Sequence, residues 1–401
     1  MTPTLLIDLD DTLLDNHIDT FLPAYLQALS RELAIFAEPK RVIDTLIAAT
    51  RKMVENTRPD CTLKEVFDGA FYPALGIKES AVQGSIERFY SEVFPTLKKL
   101  TRPRPEAVRM VEQAFERGYQ LVIATNPLFP LTANLQRLEW AGLPADQYPF
   151  TLVTSFEKSH FAKPQPAFYA EILARLGWPE GPVVMVGNDL HRDIAASRKL
   201  GLAAFWLTEP GTTPPDGPEA PTAGGSLSDL IPWLENTPAS VLQPDYSLVP
   251  AMLAVLRSTP AVLDRLSRDL PSEAWTKRPG PEEWSPTEIL CHLRDVEKEV
   301  NLPRVQILLE QNNPFLAGKD TDPWAEQRLY IRQDGMQALH KFTAARLELL
   351  DLLEAVQPAD WNRPARHAIF GPTRLAEVVG INAGHDRLHV RQVESAISAT
   401  S

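Results

Sequence analysis

The sequence predicts a Rossmann-like, doubly wound parallel α/β sheet with a helical cap insertion, followed by an all-α four-helix bundle. In the first half, short apolar runs alternate with helical patterns, which is the order found in a parallel sheet covered by helices. After residue 246 strand patterns nearly disappear, and long amphipathic segments take their place, as in a helix bundle. A chain of 401 residues is also long enough for two domains.

Each candidate strand of the first half is apolar nearly throughout, as strands buried on both faces of a parallel sheet are. The candidates are residues 4–9, 120–125, 151–154, 183–186 and 203–207. Helical patterns lie between several of them, at residues 104–117 and 165–176. The first two strands are separated by an insertion of about a hundred residues, much longer than an ordinary crossover. Its helical patterns, for example at residues 21–37 and 40–55, predict a cap rather than a loop.

The boundary between the two predicted domains lies close to residues 236–245. Residues 209–225 are rich in Pro and Gly and are expected to be irregular, but residues 226–235 still have the pattern of a last helix of the first domain. The predicted domains are residues 1–236, with a core of 1–14 and 101–236 and a cap of about 15–100, and residues 245–398. Helices of the bundle are predicted at residues 248–269, 285–310, 322–353 and 375–398.

Composition restricts the partners and the compartment of the protein. The formal net charge of −12 argues against a nucleic acid or an anionic membrane as partner, because both attract basic surfaces. The chain has two cysteines, Cys61 and Cys291, so no disulfide framework is implied. The N-terminus lacks the basic segment of a signal peptide, and no apolar stretch reaches membrane-spanning length. We therefore expect a cytoplasmic protein.

Acidic residues follow the first predicted strand directly, in the run Asp8-Leu9-Asp10-Asp11-Thr12. Residues just beyond the carboxyl end of a strand line the ligand crevice of a parallel sheet. Asp8 and Asp10 could share a metal ion there, with Asp8 free to attack phosphorus and Asp10 placed to protonate the leaving oxygen. The alternative is an acidic turn that only ends the strand, and this motif by itself does not decide between the two.

Polar residues also follow later strands. The second strand leads into Thr125 and Asn126, whose hydroxyl and backbone N–H groups could hold phosphate oxygens. Lys163 precedes a predicted helix and could neutralise a nucleophile or a phosphate, although an isolated lysine is more often a solvated surface residue. The fourth strand leads into a segment with three candidate metal ligands: Asn188, Asp189 and Asp193. Four signals at successive strand ends favour a phosphate-transfer site over coincidence.

In these residues the first half resembles the haloacid dehalogenase-like superfamily, over residues 1–236. The matching motifs are residues 8–12, residues 125–126, Lys163 and residues 187–193. The resemblance implies that Asp8 is the nucleophile, Asp10 the general acid and base, Thr125 a phosphate ligand and Lys163 its stabiliser. Mg²⁺ would be held by Asp8, the backbone carbonyl of Asp10 and an acid of the last motif.

Two details of the motifs bear on this resemblance. Branches of the family that remove halides lack the second aspartate of the first motif, so Asp10 favours phosphate esters as substrates. The family commonly has an aspartate directly after the glycine of the last motif, where this chain has Asn188. The metal ligand expected there is therefore either the amide oxygen of Asn188 or the carboxylate of Asp189.

Three histidines stand out in the second half. His385 and His389 are four residues apart and point the same way on a helix, and His292 borders the apolar stripe of an earlier helix. Three converging imidazoles would suit Zn²⁺ or Ni²⁺. The alternative is that each is a partly buried, hydrogen-bonded histidine without a metal. Cys291, beside His292, is interpreted as a small buried side chain rather than a nucleophile.

The runs Glu283–Leu293 and Gly384–Gln392 resemble the DinB-like family, and the resemblance extends from about residue 245 to residue 398. This resemblance implies a four-helix bundle with a three-histidine metal site, for which all three ligands are present. Because the family includes thiol transferases, a low-molecular-weight thiol is a possible co-substrate. Ser285 with Glu288 is also the pattern of a helix capping box, so that part of the motif is structural.

Together these features predict a Mg²⁺-dependent phosphohydrolase that acts on a small phosphorylated metabolite through an aspartyl-phosphate intermediate, fused to a metal-binding bundle. One alternative makes the bundle the main catalyst, as a metal-dependent thiol transferase or hydrolase. Another treats the bundle as a non-catalytic docking module whose histidines are structural.

Overall fold

The computed structural model describes residues 2–209 and 211–399, which divide into two compact units. The first unit contains the residues up to Phe168 together with Pro179–Asp245. The second contains Tyr169–Trp178 and the residues from Tyr246 onward. No helix in the described parts of the chain combines the length and the apolar character needed to cross a membrane.

The division differs in two places from the one drawn on sequence patterns. Residues 237–245, expected as a linker, belong to the first unit, where Leu242 is part of the apolar core. Residues 169–178 group with the second unit, because the Trp178 ring packs edge-on against Tyr246 and Arg391 donates to the carbonyl oxygens of Gly177 and Trp178. A helical pattern shows that a segment is a helix but not which core it contacts.

The described residues of the first unit form a parallel six-stranded sheet, as predicted. Its strands in chain order are β1 Thr4–Ile7, β2 Gln120–Ile123, β3 Leu152–Val153, β4 Val183–Gly187, β5 Ala203–Leu207 and β6 Ala223–Gly225. Their order across the sheet is β3-β2-β1-β4-β5-β6. The first strand lies between β2 and β4, with Ile7 in register with Ile123 on one side and Val186 on the other. The carboxyl ends of these three strands therefore meet at one edge of the sheet.

The strand β6 lies in the segment that was expected to be irregular, so that expectation is wrong for Ala223–Gly225. Its sequence, Ala-Gly-Gly, has no β-branched or large apolar side chain that could signal a strand. The strand forms through backbone pairing with β5, in which Trp206 stands opposite Gly224. A Cβ atom on Gly224 would lie 3.1 Å from the carbonyl oxygen of Trp206, so the absence of a side chain permits this close approach.

The insertion after β1 is a helical cap, as predicted. Its helices are α1 Ile18–Glu32, α2 Pro39–Glu55, α3 Leu63–Leu75 and α4 Glu79–Arg88, and a π-helical turn and a 3₁₀ helix extend the last one to Leu100. A short antiparallel pair, Leu14–Asp15 with Arg102–Pro103, joins the two connections between cap and sheet. Aromatic side chains fill the cap, and the rings of Phe94 and Trp140 stack with centroids 5.1 Å apart.

Six further helices lie between residues 105 and 242; five belong to the first unit, whereas most of Pro166–Arg175 belongs to the second. They are α5 Pro105–Glu116, α6 Leu131–Trp140, α7 Pro166–Arg175, α8 Ala196–Lys199, α9 Leu227–Asn236 and α10 Ala239–Leu242. Helix α9 begins at a capping box made by Ser226 and Asp229, which satisfies backbone N–H groups at its first turn. The last helix expected for the first domain is therefore present.

The second unit is built on long helices, in agreement with the predicted bundle. The helices of this unit are α11 Val249–Arg268, α12 Pro286–Val296, α13 Leu302–Glu310, α14 Trp324–Gln327, α15 Gly335–Glu354 and α16 Leu375–Ser398, of which α14 is a single short turn. A π-helical turn, Glu297–Asn301, joins α12 to α13. The single helix expected over residues 322–353 is interrupted, because Leu329 adopts a left-handed conformation with φ 52° and Asp334 caps a new helix.

A small sheet in the second unit was not foreseen. It consists of β7 Phe315–Leu316, β8 Pro364–His367 and β9 Gly371–Arg374. Two of these strands contain proline, which is a poor strand former, and the third has only two residues. The expectation that strands are nearly absent after residue 246 is therefore wrong at these positions.

Arg346, on α15, connects this helix to α11, to the π-helical turn after α12 and to α16. It is fully buried, and it donates hydrogen bonds to the carbonyl oxygen of Leu256 on α11, to Glu297 after α12 and to Asp386 on α16. The distances are 2.8 Å, 3.1 Å and 3.0 Å. Because Glu297 and Asp386 are also buried, the guanidinium group is the charge that makes their burial possible.

Replacing Arg346 by Met leaves two buried carboxylates without their counter-charge, which costs about 3–5 kcal/mol for a buried ion pair. We expect amide hydrogen exchange of the full-length protein to accelerate in peptides from α15 and α16. Lys341→Met, on the exposed side of the same helix, is the matched control and should leave exchange unchanged. Identical exchange in Arg346→Met and the unmodified protein would contradict this role of Arg346.

Candidate functional sites

The sheet places three of the predicted site segments at one edge. Asp8 directly follows β1, Thr125 and Asn126 lie just beyond β2, and Asn188 directly follows β4. Because β1 is the strand from which the sheet is wound in both directions, this edge is where a doubly wound sheet binds its ligands.

Lys163 joins two carboxylates at this edge. Its Nζ atom donates to Oδ1 of Asp8 at 2.7 Å and to Oδ1 of Asp193 at 2.6 Å. The three side chains are enclosed, with exposed fractions of 7% for Asp8, 2% for Lys163 and 1% for Asp193. Gly187 allows this arrangement, because a Cβ atom there would lie 2.2 Å from Oδ2 of Asp193.

The charges at this edge do not balance. Burial raises the pKa of Asp8 to about 7; Lys163 opposes the rise, and the neighbouring carboxylates of Asp193 and Asp10 add to it. Three carboxylates face only two cations here, those of Lys163 and Arg137. Carboxylate oxygens are the ligands that Mg²⁺ prefers, so these residues fit a hard divalent cation.

Asp10 is held by two residues that the sequence did not indicate. Arg137 donates from Nη1 to Oδ1 of Asp10 at 2.5 Å, and Asn16 donates from Nδ2 to the same oxygen at 2.7 Å. Arg137 is fully buried on α6, where Asn134 also accepts a hydrogen bond from its guanidinium group. A single arginine in a helix usually lies in solvent, so only its position after the second motif could have drawn attention to it.

The residues expected to bind phosphate lie beside this charged group. The hydroxyl of Thr125 is buried and, among the described residues, has no hydrogen-bond partner. A buried hydroxyl of this kind requires a partner, which a phosphate oxygen can provide. Asn126 accepts a hydrogen bond from the backbone N–H of Lys163 at 3.2 Å, and this contact links the second and third motifs.

The structure distinguishes the three candidate ligands of the last motif. Asp193 contacts Lys163 beside Asp8, whereas Asp189 caps a helical turn by accepting hydrogen bonds from the backbone of His191 and Arg192. Asn188 accepts a hydrogen bond from the hydroxyl of Thr12 at 3.2 Å. Of these three residues, Asp193 is therefore the one that shares the ammonium group of Lys163 with Asp8.

A cavity of about 1160 Å³ extends from this edge into the cap. Asp8, Asp10, Lys163 and Asp193 line it on the side of the sheet. Helices α1 to α4 contribute the opposite walls, with several leucine and aromatic side chains. The charged edge and the cap thus enclose one shared space.

The three histidines of the second unit lie together. Nε2 of His385, on α16, is 3.2 Å from Nε2 of His292 on α12 and 3.0 Å from Nε2 of His389. These separations are close to the value of about 3.3 Å expected for nitrogen atoms 2.0–2.1 Å from one tetrahedral ion. The three nitrogen atoms are therefore arranged as a ligand set.

The chemistry of these rings also fits a metal. Burial lowers the pKa of each of the three histidines to about 3, and for each a neighbouring imidazole contributes to the decrease. The rings are therefore neutral at pH 7, which is the form that binds metal. Nδ1 of His389 lies 2.7 Å from Oε1 of Gln392, so it carries the hydrogen and leaves Nε2 as a ligand. Zn²⁺ or Ni²⁺ suits such a set.

Cys291 lies next to His292 but faces different surroundings. Its thiol is buried, and burial raises its pKa to about 11. The sulfur lies 3.7 Å from Oε1 of Gln333. At neutral pH this side chain is an uncharged thiol rather than a reactive thiolate.

Residues 2–201 match the family model of haloacid dehalogenase-like hydrolases, and residues 255–393 match that of the DinB superfamily. Residues 2–201 therefore belong to the haloacid dehalogenase-like hydrolases, and residues 255–393 belong to the DinB superfamily.

Among its relatives is a ribulose-1,5-bisphosphate 5-phosphatase of Halopiger xanaduensis, 36% identical over 98 residues, which are 24% of this chain and 39% of the relative. A phosphoserine phosphatase of Thermus thermophilus is 26% identical over 240 residues, 54% of this chain and 92% of the relative. The four-helix bundle protein YfiT of Bacillus subtilis is 16% identical, with 38% of this chain and 87% of that chain covered and a TM-score of 0.35. The match to the first relative thus covers less than half of its length.

The low pKa of the histidines predicts how the stability of the metal-free bundle depends on pH. Their pKa is about 3 in the folded protein and about 6.5 in the unfolded chain. Below pH 6.5 the unfolded chain binds protons that the folded bundle does not, so the free energy of unfolding should fall as the pH decreases toward 3. The expected slope is up to about 1.4 kcal/mol per pH unit for each histidine.

This slope can be measured by urea unfolding of the chelator-treated full-length protein between pH 7.5 and pH 4.5, with hydrogen exchange in α16 as the signal. His389→Gln should reduce the slope, whereas the exposed His340→Gln should leave it unchanged. A slope that is the same in the protein with and without His389 would count against the buried, neutral imidazoles.

Proposed function

We propose that the first unit is a Mg²⁺-dependent phosphatase that hydrolyses a small phosphorylated metabolite through an aspartyl-phosphate intermediate. The observation that carries this proposal is the contact of Lys163 with both Asp8 and Asp193 in the lining of the cap cavity. The presence of Asp10 in the first motif favours phosphate esters over halides as substrates. Two relatives of the chain are also named as phosphatases. The two cysteines and the net charge of −12 support a cytoplasmic setting without a nucleic-acid partner.

In the first step a carboxylate oxygen of Asp8 attacks phosphorus, and the bond between phosphorus and the ester oxygen breaks. Asp10 gives its proton to the departing alcohol oxygen. In the second step Asp10 accepts a proton from a water molecule, which attacks phosphorus and releases phosphate and the Asp8 carboxylate. Arg137 and Asn16 both bind Oδ1 of Asp10, which orients the side chain and leaves Oδ2 for the two proton transfers.

The remaining residues of the edge bind the phosphate. Lys163 offsets the charge of the phosphate and of Asp8, and the hydroxyl of Thr125 and the backbone around Asn126 donate to phosphate oxygens. Mg²⁺ would be held by Asp8, the Asp10 carbonyl and Asp193, with Asn188 or Asp189 as a further ligand, and it would neutralise the anion that the acidic edge otherwise repels. The cap excludes bulk water from this site.

For the second unit we propose a site for a divalent transition metal, Zn²⁺ or Ni²⁺, at His292, His385 and His389. Three ligands leave room for a further group, so this site supports a second candidate function, metal-dependent thiol transfer or hydrolysis with a low-molecular-weight thiol as a possible partner. The convergence of three neutral Nε2 atoms favours this candidate over a docking module with structural histidines.

The phosphatase proposal is tested by hydrolysis of p-nitrophenyl phosphate. Activity should require Mg²⁺, and Asp8→Asn should lower kcat by at least about 10³-fold, because the nucleophile is removed. The exposed Asp44→Asn on α2 serves as the control and should keep full activity. Asp8→Asn with undiminished activity would exclude Asp8 as the nucleophile.

Asp10→Asn separates the acid from the nucleophile. For an alkyl phosphate its kcat should fall by about 10²–10⁴-fold, since the alkoxide leaving group must be protonated. For p-nitrophenyl phosphate under single-turnover conditions the loss should be much smaller, because p-nitrophenolate leaves without a proton. Equal losses with the two esters would show that Asp10 does not act as the acid.

The metal site of the second unit is tested by elemental analysis of the full-length protein after saturation with Zn²⁺ and gel filtration. The variant with His385→Ala and His389→Ala should lose the metal of the bundle, while His340→Ala, an exposed histidine of α15, should retain it. Equal zinc content in all three proteins would refute the ligand assignment.

A further inference from the structure

The cap cavity differs from a site built for small, highly charged esters. We infer that the phosphate esters hydrolysed at Asp8 carry a bulky apolar alcohol group without a second negative charge. This inference rests on the proposed phosphatase function and concerns the part of the cavity away from Asp8.

The first argument is size. The cavity of about 1160 Å³ exceeds the range of roughly 300–1,000 Å³ that is usual for pockets binding drug-sized molecules. The phosphate ester of a three-carbon alcohol would leave most of this volume unfilled and would contact only a small part of the walls. A substrate that makes full use of the walls is therefore much larger than such an ester.

The second argument is the nature of the walls. Leu22 and Leu26 of α1 line the cavity, and their side chains are exposed and half-buried, respectively. Phe67 of α3 also lines it and is half-buried, and its ring stacks on the buried ring of Phe71 at a centroid distance of 4.9 Å. Contact between these walls and an alkyl or aryl group removes apolar surface of both from water, which favours binding.

The third argument is charge. Among the described residues that line the cavity, the Lys and Arg side chains are Lys64, Lys163 and Arg192. Lys163 belongs to the catalytic edge, Lys64 already forms ion pairs with Asp68 and Glu79, and Arg192 lies 3.8 Å from Asp189.

The lining also contains further carboxylates, at Asp19, Glu87 and Glu157. A second phosphate or carboxylate on the substrate would therefore meet more negative than positive charge. Solvent weakens this repulsion at Asp19 and Glu87, which are exposed, and less so at Glu157, which is half-buried.

Two tyrosine hydroxyls of the cap add uncharged polar groups to the cavity lining. The hydroxyls of Tyr25 and Tyr90 lie 2.9 Å apart, and both residues line the cavity. Burial raises the pKa of Tyr25 to about 12, so the pair is uncharged at physiological pH. It can form a hydrogen bond with an uncharged oxygen or nitrogen of the substrate but cannot neutralise an anion.

This substrate class differs from those in the names of the two phosphatase relatives. Ribulose-1,5-bisphosphate carries a second phosphate, and phosphoserine carries a carboxylate next to its ester. The walls of this cavity oppose both additional anions, and the inferred specificity is therefore a property of this cap rather than of the motifs that the chain shares with those relatives.

The test compares kcat/KM of the full-length protein, with Mg²⁺, for ethyl phosphate, hexyl phosphate and hexane-1,6-diol bisphosphate. Hexyl phosphate should be preferred over ethyl phosphate by about 10- to 200-fold, since four more methylene groups are buried. It should be preferred over the bisphosphate by about tenfold or more, because the two differ by a terminal anion placed among carboxylates.

Two lysine substitutions on the cap helices provide a matched pair. Leu22 lines the cavity and is 39% exposed, and Ile47 lies outside the cavity lining and is 46% exposed, so both positions accept a polar side chain. Leu22→Lys should lower kcat/KM for hexyl phosphate and raise it for the bisphosphate, each by about threefold or more. Ile47→Lys should leave all three values unchanged.

A preference for the bisphosphate, or equal kcat/KM for ethyl and hexyl phosphate, would overturn the inference while the Asp8-dependent phosphatase stands. No hydrolysis of any of the esters, or hydrolysis that persists in Asp8→Asn, would overturn the proposed function together with it.

Discussion

A carboxylate that is removed from water must be matched by a cation, and this constraint organises both units of the protein. In each unit one basic side chain is shared by two buried acids: Lys163 by Asp8 and Asp193, and Arg346 by Glu297 and Asp386. The two arrangements differ in access. Arg346 is enclosed by helices, and its ion pairs hold the bundle together, whereas Lys163 faces a cavity that a ligand can enter. The same electrostatic requirement thus has a structural role in one unit and supports a functional site in the other.

The topology of the sheet explains why the acids of the first unit meet. Asp8 follows the strand that lies between β2 and β4, so groups from three strand ends come within reach of one ligand. The excess of negative charge that remains there favours a bound cation. The bundle reaches a comparable result with neutral ligands, because burial keeps three imidazoles uncharged and Gln392 orients one of them.

Much of the candidate sites could be predicted because local patterns carry the signal. Apolar runs marked five of the six strands of the parallel sheet, and the polar residues at their ends followed from counting along the chain. The spacing of four between His385 and His389 placed both on one helix face. Strand β6 escaped notice because Ala-Gly-Gly has no side-chain pattern, and the break at Leu329 depends on a backbone conformation that a leucine rarely adopts.

The sequence by itself determined the helical cap, the first five strands of the parallel sheet and the residue types available at their ends, since these depend on short-range periodicity and composition. Only the tertiary structure decided that Asp193 rather than Asp189 stands beside Asp8, that Arg137 holds Asp10, and which side chains wall the cavity. The physical reason is distance along the chain. Arg137 and Asp10 are 127 residues apart, and a contact of that kind is specified by the packing of whole elements, not by any pattern local to either residue.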